Sequence, residues 1–559
     1  MNSQIFTCRR PVCKPVDFKH STPNIQHRTP KHLPGHFLGC WKLNVECSMF
    51  RFALILACAT LFTSPVRAGD DIPNRPEKLN FPPLNYTPPN PADYRVQLKS
   101  GPVAYIIPDR SLPLVTISVY VHAGRNVEPA GKEGVAELTG WLLAHGGAGT
   151  NTAQQMEERL AFLAADFDAE IGQPQPGITP DVAAAMGKVS INLLSKDVDE
   201  GLGIIRDVLY APRFQDDKIK LRQEQMLQAM ERRNDDSVDI ESRERSILAY
   251  GRDFWANHLA TSNSLTSITR ADIETFHQAW FAPHNFVIAV SGDFDRDQMI
   301  TKLESTFGNC PFTGQMPPPI STNAIFAAPG VYLVDKPDVD QGRVSMLLPG
   351  IRRDDPDFFD VMVMNNILGG GGLTSRIFNH VRTQEGLAYS VWSRFPGGVY
   401  YPLTFSVEFQ SKSRTVAYAA SLCAEEIKKI SAAPVTGEEL NLARRAFIES
   451  FPHQFETKAQ TADLFAQDEF TGRYASDPQY WKNCRAKVAA VTAADVQRVA
   501  QKYLTPDRLA VLVVGNKADI LLGYPGHPAK LSDLGNIIEV PLPDPLTLQP
   551  AQNKSGGRN

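Results

Sequence analysis

The sequence predicts an α+β protein built from two homologous α/β sandwich domains, each a mixed, mostly antiparallel sheet packed with helices. Three observations carry that expectation. The chain has 559 residues, several times the roughly 100 to 200 residues of an ordinary domain, so more than one core is required. The segment ITRADIETFHQAWFAPHNFVIAVSGD at 268–293 recurs as VTAADVQRVAQKYLTPDRLAVLVVGN at 491–516, aligned without a gap at an offset of 223, which marks two copies of one unit. In each copy strand-like runs, some joined by short turns, mix with long helical stretches, a pattern that fits one mixed sheet per domain better than a doubly wound parallel sheet.

Composition excludes several other classes. Hydrophobic residues are 43% and charged residues 21% of the chain, values of a folded soluble protein rather than a disordered, collagen-like or membrane-spanning one. Residues 1–68 carry 9 of the 57 Lys and Arg and 2 of the 61 Asp and Glu, which leaves 48 basic against 59 acidic residues, or −11, for the remainder. That balance disfavours nucleic acid as a partner. Of eight cysteines, five precede residue 60 and only Cys310, Cys423 and Cys484 follow, too scattered for a disulfide framework or a zinc cluster.

Taken in chain order, residues 1–48 show no hydrophobic periodicity and would bury a signal sequence inside the chain, so Met49 is expected to be the start and 1–48 an untranslated leader. From Met49 the chain reads MFRFALILACATLFTSPVRAGDD: Arg51 supplies a positive region, Phe52 to Phe62 an apolar run, and Val66-Arg67-Ala68 a cleavage site, the pattern of a signal peptide over 49–68. The apolar run is far shorter than the ~18 to 20 residues that span a bilayer. The expected product is exported, periplasmic or extracellular, with no membrane span in the mature chain; lipid attachment at Cys58 is the alternative. Residues 69–93 hold seven prolines and are expected to form an extended leader.

The first domain is expected over 94–311. It opens with the strand-like runs VAYIIPD and LVTISVYVHAG and continues through a helical stretch from Lys218 to Arg233. Near its end Thr269 and Asp272 predict a capping box that starts a helix ending before Pro283, followed by a strand stopped at Gly292. Pro317, Pro318 and Pro319 interrupt any regular element in the linker 312–328. The second domain, 329–520, repeats the plan with a helix from Arg414 to Lys429, a capping box at Thr492 and Asp495, and a strand stopped at Gly515. A tail of 521–559 follows.

With the repeat, two further segments point to a family: HAGRNVEPAGKEGVAELTG at 122–140 and NNILGGGGLTSRIFNHVRTQEGLAYSV at 365–391. Over nearly all of 94–540 the chain resembles the pitrilysin- or insulysin-type zinc metallopeptidases, the inverzincins, and in particular the noncatalytic subunit of processing-peptidase-like heterodimers. The family's signature is H-x-x-E-H on a helix, two histidines ligating zinc and a glutamate serving as general base. Aligned on Gly134-Val135-Ala136, those positions here are Glu137, Gly140 and Trp141, and the family's distal glutamate ligand falls near Ala229. No catalytic residue and no metal ligand is therefore expected in this chain alone. A substitute pair, Glu137 and His145, is eight residues apart, about 12 Å along a helix, too far for one ion with bonds near 2 Å. Glu137 is expected to be a solvated helix residue.

The resemblance also implies a retained function. In the family an arginine and a tyrosine seven residues later reach from the second domain toward the first domain's metal and hold the peptide and tetrahedral intermediate; they match Arg382 and Tyr389. Arginine presents a planar fork of donors and a phenol can donate to developing negative charge. Local pattern predicts a short helix capped by Thr374 or Ser375, with Ile377, Phe378 and Val381 inward, then a strand in which Leu387, Tyr389 and Val391 share a face. Gly369, Gly370, Gly371 and Gly372 are expected to form a loop that permits positive φ, either a plain turn or, as the resemblance implies, a counterpart of the substrate-contacting glycine loop of the processing peptidase's noncatalytic subunit; no Gly-Lys-Ser/Thr follows, so it is not a phosphate loop. The expectation is the substrate-binding partner subunit of a heteromeric zinc oligopeptidase: a peptide as substrate, zinc carried by a homologous partner, and no cofactor bound by this chain. The alternatives are a noncatalytic peptide-binding or structural subunit and, third, a zinc-free hydrolase.

Overall fold

Strands β1 (Arg95–Gln97), β2 (Val103–Pro108), β3 (Leu114–Val121), β4 (Asp166–Ile171), β5 (Gly187–Leu194) and β6 (Phe286–Gly292) form one sheet in the order β1-β2-β6-β3-β5-β4. A second sheet contains β7 (Gly330–Asp335), β8 (Gln341–Arg352), β9 (Ala388–Arg394), β11 (Leu403–Lys412), β12 (Ala510–Gly515) and β13 (Ile537–Glu539) in the order β13-β7-β12-β8-β11-β9, with the short β10 (Gly397–Gly398) beside β8. The computed structural model describes residues 84–550, so the expectations for 1–48, the signal peptide, Cys58, Gly69 to Pro83 and the last residues of the tail lie outside the described residues.

The two sheets share one internal plan. In each, the last strand of the repeat inserts between the first two: β6 pairs parallel to β2 and antiparallel to β3, and β12 pairs parallel to β7 and antiparallel to β8. Both sheets are mixed, and antiparallel pairings predominate overall. Each inserted strand is delivered by the repeated helix. Thr269 Oγ1 accepts from the Asp272 amide at 3.3 Å while Asp272 Oδ2 accepts from the Thr269 amide at 2.8 Å, and Thr492 and Asp495 make the same reciprocal pair at 3.2 and 2.9 Å. The helices Arg270–Trp280 and Ala493–Tyr503 then end in short turns opened by Pro283 and Pro506, because proline cannot donate to a continuing helix.

Alternation along the strands divides each sheet into two apolar faces. On β2 and β6, Ala104, Ile106, Ile288 and Val290 face the first domain's own helices, and on β7 and β12 Val331, Leu333, Val511 and Val513 face those of the second. The opposite faces are closed by exchange. Helix Lys458–Phe470 lays Ala462, Phe465, Ala466 and Phe470 over Tyr105, Ile107, Tyr120, Val287 and Ala289 of the first sheet. Helix Ser237–Tyr250 lays Ile240 and Leu248 over Val334, Leu347, Ala510, Leu512 and Val514 of the second. Polar contacts follow the same two-way plan: Asp463 accepts from the Tyr120 hydroxyl at 2.9 Å, and Glu241 accepts from the Ser345 hydroxyl.

Several elements differ from the sequence reading. The helix expected from Arg414 to Lys429 runs Val416–Ala432, and that from Lys218 to Arg233 runs Asp216–Glu231, where Asp216 and Asp217 complement the positive helix start. The end of the leader is docked rather than merely extended: Asn90 caps the turn Pro91–Asp93, and the Tyr86 ring lies 6.2 Å from Phe451. The tail is also structured. After β13, Val540 and Leu542 join the outer-face cluster of the second sheet and Leu546 packs on the first domain's core. Its backbone is held by Asn234, which donates to the Pro543 carbonyl at 2.8 Å, and by the Ser262 amide, which donates to Leu546 at 2.8 Å.

Candidate functional site

The helix Val135–His145 carries Glu137, Gly140 and Trp141, the positions that the sequence comparison with the H-x-x-E-H signature singles out. Its start is built by Glu128, whose Oε1 accepts from the amides of Gly134 and Ala136, both at 2.9 Å, and burial raises the Glu128 carboxyl to about 7. Glu137 is not a freely solvated side chain: it accepts from Arg222 Nη2 at 2.9 Å, a partner on another helix. Gly140 is buried where the helix meets β4, and a Cβ there would stand 2.8 Å from the Ile171 amide nitrogen. Trp141 stacks on His145 with centroids 4.4 Å apart and lies 5.6 Å from the Arg222 guanidinium, while His145 Nδ1 is 2.9 Å from the Trp141 carbonyl. These positions thus form an ion pair, a close backbone contact and an aromatic stack. Among the described residues no group of three or more His, Cys, Asp or Glu could hold a metal ion.

Glu137 and Ala229 line one cavity of about 540 Å³. Its wall also carries Arg125, Arg233, Arg243 and Arg252, which the sequence reading did not single out. The signal was present as the arginine-rich stretch ERRNDDSVDIESRERSILAYGRD at 231–253.

Arg382 and Tyr389 come together elsewhere. Arg382 sits on the helical turn Asn379–Gln384 and its guanidinium lies 4.7 Å from the Phe378 ring centroid and 4.8 Å from that of Tyr389. Tyr389 is 85% exposed. The expectation that Tyr389 and Val391 share a face fails because of a bulge: Phe409 pairs with Val391 and Ser411 with Ala388, so β9 has one residue more than β11 over this stretch. The extra residue puts Ala388 and Val391 both inward and turns Tyr389 out. Tyr389 borders a second cavity of about 380 Å³, formed with Trp392, Glu408 and Lys412 among others. Neither Arg382 nor Tyr389 borders the Glu137 cavity.

The four glycines are not one loop. Gly369 and Gly370 end the helical turn Asn366–Gly370, and a Cβ on the buried Gly369 would meet Ser393 Oγ at 2.5 Å, so glycine here lets the turn approach β9. Only Gly372, at φ +58°, uses the left-handed region, and Gly371 precedes it in a turn. Ile377, Phe378 and Val381 are buried as expected. Ser375 precedes the short helix but does not cap it: its hydroxyl donates back to Gly372 at 2.7 Å, and Thr374 donates to Gly371 at 3.0 Å.

Comparison with known proteins bears out the resemblance read from the sequence. Residues 267–447 match the peptidase M16 inactive domain family. The chain is 26% identical over 282 residues to an uncharacterized zinc protease of Mycobacterium leprae, covering 50% of this chain and 60% of that protein. It is 22% identical over 425 residues to the beta subunit of the mitochondrial-processing peptidase of Lentinula edodes, covering 72% and 85%. The chain spans 60% and 46% of the length of the first curated relatives it matches. Among solved structures, a peptidase M16 inactive domain from Pseudomonas fluorescens superposes with a TM-score of 0.65 at 22% identity, covering 75% of this chain and 97% of that one. The periplasmic protease PqqL from Escherichia coli superposes with a TM-score of 0.62 at 16% identity, covering 83% and 50%. These structural likenesses concern the fold.

Proposed function

We propose, from the premise that residues 267–447 carry a peptidase M16 inactive domain, that this chain is the substrate-binding partner subunit of a heteromeric zinc oligopeptidase. The observation that carries the reading is the outward Tyr389, 85% exposed and backed by Arg382. Among the described residues the Arg382 guanidinium makes no ion pair, so its donors are available to a peptide carbonyl. The motif helix is spent on packing, and neither Arg382 nor Tyr389 borders the Glu137 cavity, Tyr389 alone bordering a different one, so the pair has its use at a metal site carried by another chain. A protein similar to this one is named as one subunit of a processing peptidase, and another similar in fold is named a periplasmic protease. The first name supports assembly with another subunit and the second an exported location, the location that the signal-like segment 49–68 also favours.

The test is copurification from the native cell envelope followed by mass spectrometry of the partner and of the mature N-terminus. A homologous chain with intact H-x-x-E-H and a mature terminus at Gly69 are the expected results. Recovery of the chain only within a complex without such a homologue would replace the reading by that of a noncatalytic structural subunit.

A further inference from the structure

The cavity beside the former motif has an unusual wall. Arg125, Arg222, Arg233, Arg243 and Arg252 line it together with the carboxylates of Glu128, Glu137 and Asp239. Two of the arginines are partly neutralised in pairs, Arg222 with Glu137 at 2.9 Å and Arg243 with Glu244 at 2.9 Å. Arg125 has neither an ion pair nor a hydrogen-bonded side chain among the described residues, and its Nε is buried without a partner. Arg222 Nε and Arg243 Nη2 are also buried and unpartnered. The Arg243 side chain is 7% exposed, and its other nitrogens are committed to Glu244 and to the Arg233 carbonyl.

Three unsatisfied guanidinium nitrogens in side chains that line one cavity are costly, because a buried charged donor without an acceptor forfeits its hydration. The cost is recovered when an oxyanion enters, and the planar fork of arginine suits a carboxylate in particular, which accepts two parallel bonds from one guanidinium. Size agrees: about 540 Å³ holds a small organic acid or the last two or three residues of a peptide. Pro543 and Leu548 of the tail complete the wall with apolar contact, which leaves room for a hydrocarbon or side-chain portion beside the charged end.

The geometry points to a carboxylate-binding site in this cavity, with Arg125 and Arg243 as the residues that hold the anion. The carboxylate can come from a peptide C-terminus or from a small organic acid. The peptide source rests on the peptide-binding reading above, and the small-acid source does not. No bond is made or broken there; the site binds.

The experiment uses the full mature chain and three probes measured by calorimetry or fluorescence anisotropy: an acetylated pentapeptide with a free C-terminus, the same peptide amidated, and succinate. A free-acid peptide bound at least tenfold more tightly than its amide establishes the site with the peptide as its source. Succinate bound while neither peptide binds establishes the site with the small acid as its source, and separates it from the peptide-binding reading. Arg243→Met should weaken the bound probe tenfold or more. Arg125→Met, at a turn outside the core, should do the same with an unchanged circular dichroism spectrum, which keeps the test valid if Arg243→Met does not fold. Equal binding of acid and amide with no competition by succinate, binding of none of the three, or unchanged affinity in Arg125→Met would overturn the assignment.

Discussion

The Arg382 guanidinium lies between two aromatic rings, with its carbon 4.7 Å from the centroid of Phe378 and 4.8 Å from that of Tyr389. Phe378 is anchored in the core of the second domain and Tyr389 stands in solvent. Arginine is therefore the spacer that carries the rigidity of a buried ring out to an exposed one. A cation over an aromatic face at an exposed site contributes roughly 0.5 to 1 kcal/mol, enough to bias the position of a side chain without fixing it.

Kinetics of the reconstituted complex test that arrangement. If the Tyr389 hydroxyl donates to charge present only in the transition state, Tyr389→Phe should lower kcat on the order of a hundredfold, about 3 kcal/mol, with little change in KM. Arg382→Ala should raise KM and, by releasing the tyrosine ring, also lower kcat. The effects should be less than additive in the double variant, because the two residues share one contact. A wild-type kcat for Tyr389→Phe would return both residues to a structural role.

Gly140 should be intolerant of any side chain. Its Cβ would stand 2.8 Å from the Ile171 amide nitrogen and 3.2 Å from the Glu170 carbonyl carbon, a backbone contact that cannot be relieved by rotating a side chain. Gly140→Ala is expected to cost about 1 to 3 kcal/mol, read as a lowered denaturation midpoint, despite the higher helix propensity of alanine. By the same contact, restoring the motif with Glu137→His, Gly140→Glu and Trp141→His should yield less folded protein rather than a zinc protein. Elemental analysis of the wild-type chain after dialysis should find no stoichiometric zinc, and zinc bound at one per chain would contradict the partner-subunit reading.

Glu128 gives a pH dependence with a defined sign. Burial raises its carboxyl to about 7 from an ordinary value of 4.5. Between those values the unfolded chain is ionised while the folded chain keeps the proton, so stability falls as pH rises through that window and levels off above it. The full effect is on the order of 3 kcal/mol. Glu128→Gln keeps an oxygen for the amides of Gly134 and Ala136, and should flatten the stability profile between pH 4.5 and 7. Urea unfolding at a series of pH values checks this, and an unchanged profile would show that Glu128 ionises normally.

The exchanged helices predict one unfolding transition for the two domains. Phe465 is fully buried against Tyr105 and Tyr94 although it belongs to the second half of the chain. Phe465→Ala should cost about 3 to 5 kcal/mol and shift the whole calorimetric curve. A separate low-temperature peak for the first domain alone would show that its sheet does not depend on the donated helix.

What could be read in the sequence was local or repeated. Thr269 with Asp272 and Thr492 with Asp495 act within one helical turn, so spacing suffices to predict their boxes. The inserted strands followed from the repeat. The outward face of Tyr389 is not legible in the sequence, because a bulge depends on the pairing of β9 with β11, and pairing leaves no mark within a single strand. The glycine run reads as a loop since glycine disfavours helices, yet the approach of Ser393 to Gly369 is a contact between elements. Arg222 reaches Glu137 across 85 residues of sequence, and Arg243 joins the same cavity from a third helix. Such convergence becomes visible only once the chain is folded.

The exchange of helices also limits how the molecule can move. A jaw that opens on the segment 312–328 would have to strip Phe465 and Ala466 from one sheet and Ile240 and Leu248 from the other, and packed apolar layers resist being parted in a way that a hinge of a few loop residues does not. The cheaper motion is local. Residues 540–550 cross from the second sheet to the first domain on a few backbone bonds and the apolar contacts of Val540, Leu542 and Leu546, and Pro543 and Leu548 border the arginine cavity. Ligand traffic would then be governed by a latch of eleven residues near the end of the chain, and the rate of exchange would follow the local fraying of that latch rather than the stability of the whole fold.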